Sequence, residues 1–293
     1  MDQTIKKEVE QKTAMRLPMR LKMGMLPSFF ILLGFVLAAI FANFIVPKDP
    51  LQIDLAHALV KPFTTVDGTT FWLGSDKLGR DILSRIILGA RVSLTVVLIG
   101  VVVAGSVGTF LGILAGYKGG TVDSVISRSV DVMLGFPTIL FALILAIVLG
   151  PSLFNVALVV ILVYWARYAR QARGETLKVR EMDYTTLART AGCSNFVIML
   201  RHIFPNVVNS LLVVSTVNIG TVITLEATLS FLGAGVPPPA PSWGTMCADG
   251  RGLLVSAWWV SFMPGLAITI VVLSANIFGD WLRDRLDPNL RNL

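Results

Sequence analysis

Five long stretches of this chain carry no Lys, Arg, Asp or Glu: Met23–Pro47, Val92–Tyr117, Val132–Ala166, His202–Leu225 and Gly252–Gly279. A helix that crosses a bilayer needs about 20 apolar residues, each rising ~1.5 Å through a hydrocarbon core ~30 Å thick. Val132–Ala166, at 35 residues, is too long for one such helix, and Gly150-Pro151-Ser152 near its middle reads as a tight turn between two. The pattern therefore predicts an all-α integral membrane protein with six transmembrane helices. The first stretch is about twice the length of a signal-peptide core and lacks a clear small-x-small cleavage site, so it reads as a retained span.

Composition agrees with that reading. Hydrophobic residues make up 54% of the 293 and charged residues 15%, against roughly 25% charged in soluble domains. The net charge of +7 would raise the question of nucleic acid, but the basic residues lie between apolar blocks and point to a bilayer. With the N-terminus inside, 18 of the 25 Lys and Arg fall on the cytoplasmic side, as the positive-inside rule requires. Residues 1–25 then form a cytoplasmic N-terminal segment, 26–47 the first span and 48–91 an external loop. Residues 92–281 form a five-helix core including a cytoplasmic loop, 167–201, and 282–293 a cytoplasmic tail. Cys193 and Cys247 fall on opposite sides and should not pair.

Three non-spanning stretches are large enough to carry function. The external loop ends in Leu73-Gly74-Ser75-Asp76-Lys77-Leu78-Gly79-Arg80-Asp81, which reads as a turn and an amphipathic helix with Asp76 as N-cap and Gly79 inside. The loop 167–201 reads as a short helix, Tyr184–Ala191, a break at Gly192, and a second helix, Phe196–Ile203. Such a knob is long for a connection, whose median is about 4–6 residues, and suits partner docking. Four prolines between Pro237 and Pro241 enforce extended backbone, either a strut at the mouth of a pathway or a stiff connector.

Catalytic signatures are missing. Gly116-Tyr117-Lys118-Gly119-Gly120 lacks the spacing of a phosphate-binding loop, and neither H-E-x-x-H nor G-x-S-x-G occurs. A stand-alone secondary carrier would need ionisable residues at mid-membrane and an internal inverted repeat. The nearest ionisable candidates, Glu226 and Asp280, read as helix caps or as faces toward a neighbouring subunit. The polar residues of the fifth helix, Asn218, Thr221 and Thr224, either line a cavity or hydrogen-bond between helices.

Tyr184-Thr185-Thr186-Leu187-Ala188-Arg189-Thr190-Ala191-Gly192, nine residues, then His202-Ile203-Phe204-Pro205-Asn206 resembles the cytoplasmic signature of ABC importer permeases, E-A-A, three residues, G, nine residues, I-x-L-P. Leu73–Leu94, Leu225–Arg251 and Asn276–Pro288 narrow the resemblance to the second, C-type permease of the dipeptide/oligopeptide/nickel group. The resemblance implies a type I importer transmembrane architecture in a bacterial inner membrane. It further implies a non-catalytic pore subunit that imports di- or oligopeptides, with nickel-chelate, glutathione and opine import as alternatives. Implied partners are a homologous second permease, one or two cytoplasmic ATPase subunits that bind ATP and magnesium, an external peptide-binding protein and membrane lipid. No cofactor or metal is implied in this chain, and no nucleic acid. ATPase docking would fall to Tyr184, Ala188, Arg189, Gly192, Pro205 and Asn206, with Gly192 at a turn where a side chain would crowd the backbone and Pro205 in the first turn of a helix. The family Glu falls on Thr186 and its first Ala on Leu187, so a charged contact there would be replaced.

Overall fold

A computed structural model describes residues 26–286. The N-terminal segment through residue 25 and residues 287–293 of the tail lie outside the described residues. Among the described residues four helices are long and apolar enough to span a bilayer: α3 (Ile82–Lys118), α6 (Leu153–Arg180), the run Asn195–Phe231 that contains α8 (Asn195–Ile198) and α9 (Phe204–Phe231), and α11 (Trp259–Leu286). The pair α4 (Gly120–Gly135) and α5 (Thr138–Leu149) makes a fifth span bent by 94°. The shorter apolar helix α1 (Leu26–Ile40) occupies the first predicted position, followed by one turn, α2 (Ala42–Ile45). Counted with that shorter helix, the described residues approximate the expected six helices, with shifted boundaries.

The shifts have local causes. The helix read as starting at Val92 starts at Ile82, and its N-cap is Asp81, whose carboxylate accepts from the Ser84 N–H at 2.8 Å. No separate amphipathic helix precedes it. Gly79 sits in a turn at φ +74°, where a Cβ would come within 1.7 Å of the Asp54 carbonyl oxygen. Asp76 is not a cap; it is buried and takes Arg80 Nε at 2.7 Å and Arg85 Nη1 at 2.9 Å. The rest of the external stretch holds a hairpin, β1 (Thr64–Val66) against β2 (Thr69–Phe71). Asp67 and Gly68, both at positive φ, form its two-residue turn.

Pro137 breaks the third span, because a proline removes a helical N–H and its ring displaces the preceding turn. Gly150-Pro151-Ser152 makes the predicted turn: Gly150 takes φ +81°, and the Ser152 side chain caps α6 by accepting from the Asn155 N–H. α6 then continues to Arg180, so the first part of the expected loop 167–201 is helix. At the other end, α10 (Trp243–Gly250) precedes α11, and the last span starts at Trp259 rather than Gly252. The proline stretch therefore joins α9 to α10. Val236 and Pro241 are buried and Pro237–Pro239 exposed, so it is a connector seated on the bundle.

A ladder of small residues holds the core. Gly100, Gly108, Gly112 and Gly116 recur along α3 and face α6. A Cβ on them would lie 2.3 Å from Val160 Cγ1, 2.3 Å from the Trp165 carbonyl oxygen, 2.4 Å from the Ala169 carbonyl oxygen and 2.8 Å from Thr176 Cβ. Backbones this close gain dispersion contact, the main source of helix association where lipid is as apolar as the side chains. Trp243 is fully buried, donating its indole N–H to the Ile86 carbonyl at 3.0 Å with its ring edge-on to Phe35. Glu226 is neither a cap nor an outward face: it is wholly buried and accepts from Ser93 Oγ on α3 and Ser230 Oγ on α9. Asp280 is exposed on α11.

Candidate functional site

At one end of the bundle, a tip is built from the end of α6, α7 (Asp183–Thr190), α8 and a π-helical turn, Met199–Ile203, that leads into α9. Thr185 is buried and its hydroxyl donates to the Val179 carbonyl at 2.9 Å, folding α7 back on α6. Gly192 stops α7 with a paired C-terminal motif: its own N–H bonds the Arg189 carbonyl and the Cys193 N–H bonds the Ala188 carbonyl, both at 3.1 Å. That motif needs a left-handed residue, and Gly192 has φ +80°. A Cβ there would meet nothing within 4 Å, so crowding is not the reason for glycine; the backbone angle is. Ser194 then caps α8 by accepting from the Val197 N–H.

The tip is braced against α3. Tyr117 Oη donates to Asn195 Oδ1 at 2.9 Å, Arg180 Nη1 donates to the Gly116 carbonyl at 3.0 Å, and the Arg189 guanidinium lies 5.7 Å from the Tyr117 ring centre. Its exposed surface mixes polar residues, among them Asp183, Thr186, Arg189 and Arg201, with large apolar ones: Leu187 is 68% exposed and Phe196 65%, with Met182, Tyr184 and Leu200 also exposed. Pro205 is the second residue of α9, as the sequence suggests, but the chain is already helical before it. The π turn, in which the Phe204 N–H reaches back to the Met199 carbonyl, absorbs the proline. Asn206 donates from its side-chain amide to the His202 carbonyl at 2.6 Å.

Three cavities open along the spans; the most apolar, about 570 Å³, lies between α3 and α9 and is lined by Val101, Phe110, Tyr168, Phe196, Leu200 and Leu211, among others, and the other two carry polar residues. One, of about 360 Å³, lies among α5, α6, α9 and α11 and is lined by Thr138, Tyr164, Arg167, Thr221, Thr224 and Asn276, among others. The second, about 700 Å³, lies nearer the tip and is lined in part by Gln171, Glu175, Asn206, Asn209, Asn218 and Arg283. Thr221 and Thr224 thus share a cavity and Asn218 lies on the other. The threonines do not bond between helices; their hydroxyls donate to the Asn218 and Gly220 carbonyls of their own helix, at 3.0 and 2.9 Å. Among the described residues no His, Cys, Asp or Glu cluster could hold a metal ion.

The family described as the binding-protein-dependent transport system inner membrane component matches residues 108–292. This chain belongs to that family. A relative in Escherichia coli (strain K12), a probable D,D-dipeptide transport system permease, is 38% identical over 261 residues, covering 89% of this chain and 86% of its own. A glutathione transport system permease of Pectobacterium atrosepticum is 43% identical over 221 residues, 75% of this chain and 73% of its own. Among solved structures, an inward-facing form of the MetNI methionine ABC transporter superposes with a TM-score of 0.56 at 15% identity, covering 69% of this chain and 96% of that one. That likeness establishes the fold as the type I importer permease fold.

Within this binding-protein-dependent permease, Tyr184, Arg189 and Gly192 gather at the tip, and Ala188 packs inward against the core. Pro205 and Asn206 lie at its base, where Asn206 borders the larger cavity. Sequence reasoning passed over Leu187 and Phe196, although each is a large apolar residue in a polar loop. It also passed over Arg167, which the charge count assigned to the loop and which lies inside α6.

Proposed function

We propose that this permease is one half of the pore of an ATP-driven importer of di- and oligopeptides, paired with a homologous second permease. The tip docks on cytoplasmic ATPase subunits, which bind ATP and magnesium, and both termini face the cytoplasm of a bacterial inner membrane. The opposite end, carrying the hairpin and α10, receives cargo from an external binding protein. The observation that carries this reading is the exposed tip with Leu187 standing out from it, braced to α3 and helically continuous with a span. Leu187 offers area to be buried in a groove, and at about 25 cal/mol per Å² such a side chain supplies more than the exposed charge pair that Thr186 lacks. Peptide cargo is supported by the peptide-transport names of relatives that share most of their length with this chain. Thr221 and Thr224 line the path on one side and Asn218 lines it nearer the tip.

The test is a pull-down of the tagged chain from native membranes in mild detergent, followed by mass spectrometry and an ATPase assay. An ATPase and a second permease in the eluate, with hydrolysis stimulated by a peptide-loaded binding protein, is the expected result. Glutathione serves as the competing cargo. A lone chain, under conditions shown not to strip subunits, would overturn the reading.

A further inference from the structure

Four arginines lie on α6: Arg167, Arg170, Arg173 and Arg180. Three of them have a carboxylate. Arg170 pairs with Asp131, Arg173 with Asp123, and Arg180 with Glu181. Arg167 has no hydrogen bond or ion pair among the described residues; its contact is the face of Tyr164, with the guanidinium carbon 4.9 Å from the ring centre. It is half-buried and lines the smaller cavity. Fourteen residues separate it from the start of α6 at Leu153, a rise of about 21 Å at ~1.5 Å per residue. That places its backbone short of the far edge of a hydrocarbon core ~30 Å thick. A cation held at that depth, with no counter-ion and an open cavity in front of it, is costly unless an anion visits.

The opposite wall supplies the complementary chemistry. Thr221, Thr224 and Thr228 each give their hydroxyl proton to a carbonyl of α9, at 3.0, 2.9 and 2.7 Å. Their oxygens are left as acceptors along the same cavity. A ligand that suits this wall has N–H donors at one end and a carboxylate at the other. The cavity, at about 360 Å³, falls at the lower end of the roughly 300–1,000 Å³ range of small-ligand sites.

We infer that Arg167 is a specificity-determining residue of the translocation path, pairing with the C-terminal carboxylate of a peptide in transit while the α9 threonines accept from its N–H groups. The guanidinium carbon lies 4.9 Å from the Tyr164 ring centre, and a planar guanidinium offers an N–H fork that a carboxylate takes bidentately. This inference rests on the peptide-import reading and adds a residue and a functional group to it.

The test uses the whole complex in vesicles with ATP inside and the loaded binding protein outside, the probe being a labelled dipeptide with a free carboxylate. Uptake and stimulated ATP hydrolysis are measured for wild type, Arg167→Gln, Arg167→Lys and, as a control on the same helix, Arg170→Gln. Losing a charge-assisted bond predicts roughly tenfold or greater loss of uptake in Arg167→Gln. Arg167→Lys should fall between it and wild type, since it keeps the charge without the fork, and Arg170→Gln should match wild type. Stimulated hydrolysis should persist in all, separating failed passage from failed assembly. Wild-type uptake in Arg167→Gln would overturn the inference, and so would equal losses in the Lys and Gln variants, which would make the effect one of shape. No dipeptide uptake by the wild-type complex would instead overturn the import reading beneath it.

Discussion

Replacing Gly108 with alanine tests the packing on which the bundle depends, and Gly105→Ala on the same helix is its control. A Cβ at Gly108 would lie 2.3 Å from the Trp165 carbonyl oxygen, 2.6 Å from Tyr168 Cβ and 3.0 Å from the Ala169 nitrogen. All three belong to the backbone or to a first side-chain carbon, so no rotamer change relieves them. Reaching even 3.0 Å, below which real Cβ atoms are not found, requires α3 and α6 to part by about 0.7 Å. Overpacking of this kind costs about 1–3 kcal/mol, and alanine returns about 0.5–1 kcal/mol of backbone entropy. The net expectation for Gly108→Ala is a loss of about 1–2 kcal/mol. At Gly105 the nearest atom is Tyr168 Cε1 at 3.5 Å, an ordinary contact, so the entropy gain stands unopposed. The two variants should differ by about 2 kcal/mol with opposite signs. Unfolding of the purified complex in mixed detergent and denaturant, followed by tryptophan emission, measures that difference. If Gly108→Ala is as stable as wild type, or if both variants shift alike, α3 and α6 do not meet at this distance.

Other perturbations separate charge, backbone and pH. Asp76→Ala strips the carboxylate from Arg85, which is 4% exposed, and leaves it only Asp249 at 3.8 Å; the expected loss is about 3–5 kcal/mol. Asp249→Ala, whose side chain is 34% exposed and whose contacts run from 3.4 to 3.8 Å, should cost about 0–1 kcal/mol by the same unfolding assay. Gly192→Val places a β-branched residue at φ +80°, costing about 1–2 kcal/mol, and should lower uptake per ATP hydrolysed. Gly192→Asn, which tolerates that angle, should keep most coupling; equal coupling in all three proteins would remove the turn from the mechanism. In the external loop, His57 donates to or accepts from Asp54 at 2.6 Å and Asp67 at 3.0 Å. The hydrogen bond to Asp54 raises the His57 pKa above its ordinary 6.5, and the same bond lowers that of Asp54. The His57 contribution to loop stability is therefore full below pH about 6.5 and fades as pH rises through the raised value. The Asp54 contribution is present above its ordinary carboxylate range and fades as pH falls through the lowered value. Hydrogen exchange of the loop across pH should show protection greatest between the two; protection that keeps rising above neutrality would contradict the pairing.

The spans were legible because charge-free runs of this length have few alternatives, and their ends were not because charge stops marking a boundary once it finds a partner. Arg85 and Arg91 lie inside α3, ahead of the apolar run; Arg85 is neutralised by Asp76, and Arg91 donates to the Ala39 and Ile40 carbonyls of α1. Three features were readable and went unread. Pro137 bends its span, Asp67-Gly68 is a hairpin turn, and the four-residue spacing of Gly108, Gly112 and Gly116 is a packing ladder. The tip was read well, because a glycine between two short amphipathic segments leaves the backbone little choice. The cavity was read only in part. At about 100° per residue, Asn218 stands roughly 60° from Thr221 and 120° from Thr224 on the helix wheel, which is enough to turn it onto a different cavity. Arg167 was assigned to a loop because a charge count knows a residue's type and not whether its helix continues.

The elements that make the tip are also the elements that make the cavity. α6 carries Arg167 and ends at the brace of Arg180 on the Gly116 carbonyl; α9 carries the threonines and continues unbroken from α8. Tyr117 ties α8 to α3, and the glycine ladder ties α3 to α6. Because the neighbours of Gly108 and Gly112 are backbone atoms and first side-chain carbons, that pair cannot slide there without clashes. Compliance has to lie where packing is sparse. α5 meets that condition, since it presents Ile139, Leu140, Ile144, Ile147 and Val148 to the outside and joins the body through the bend at Pro137. The glycine pair Gly119-Gly120, both at positive φ, marks the other end of the same bent span. α4 is held to α6 by the Asp123–Arg173 and Asp131–Arg170 pairs and by Val130 packed on Ala166 and Ala169, so the bend at Pro137 leaves α5 as the part whose angle can differ, and Thr138 on α5 lines the cavity that contains Arg167.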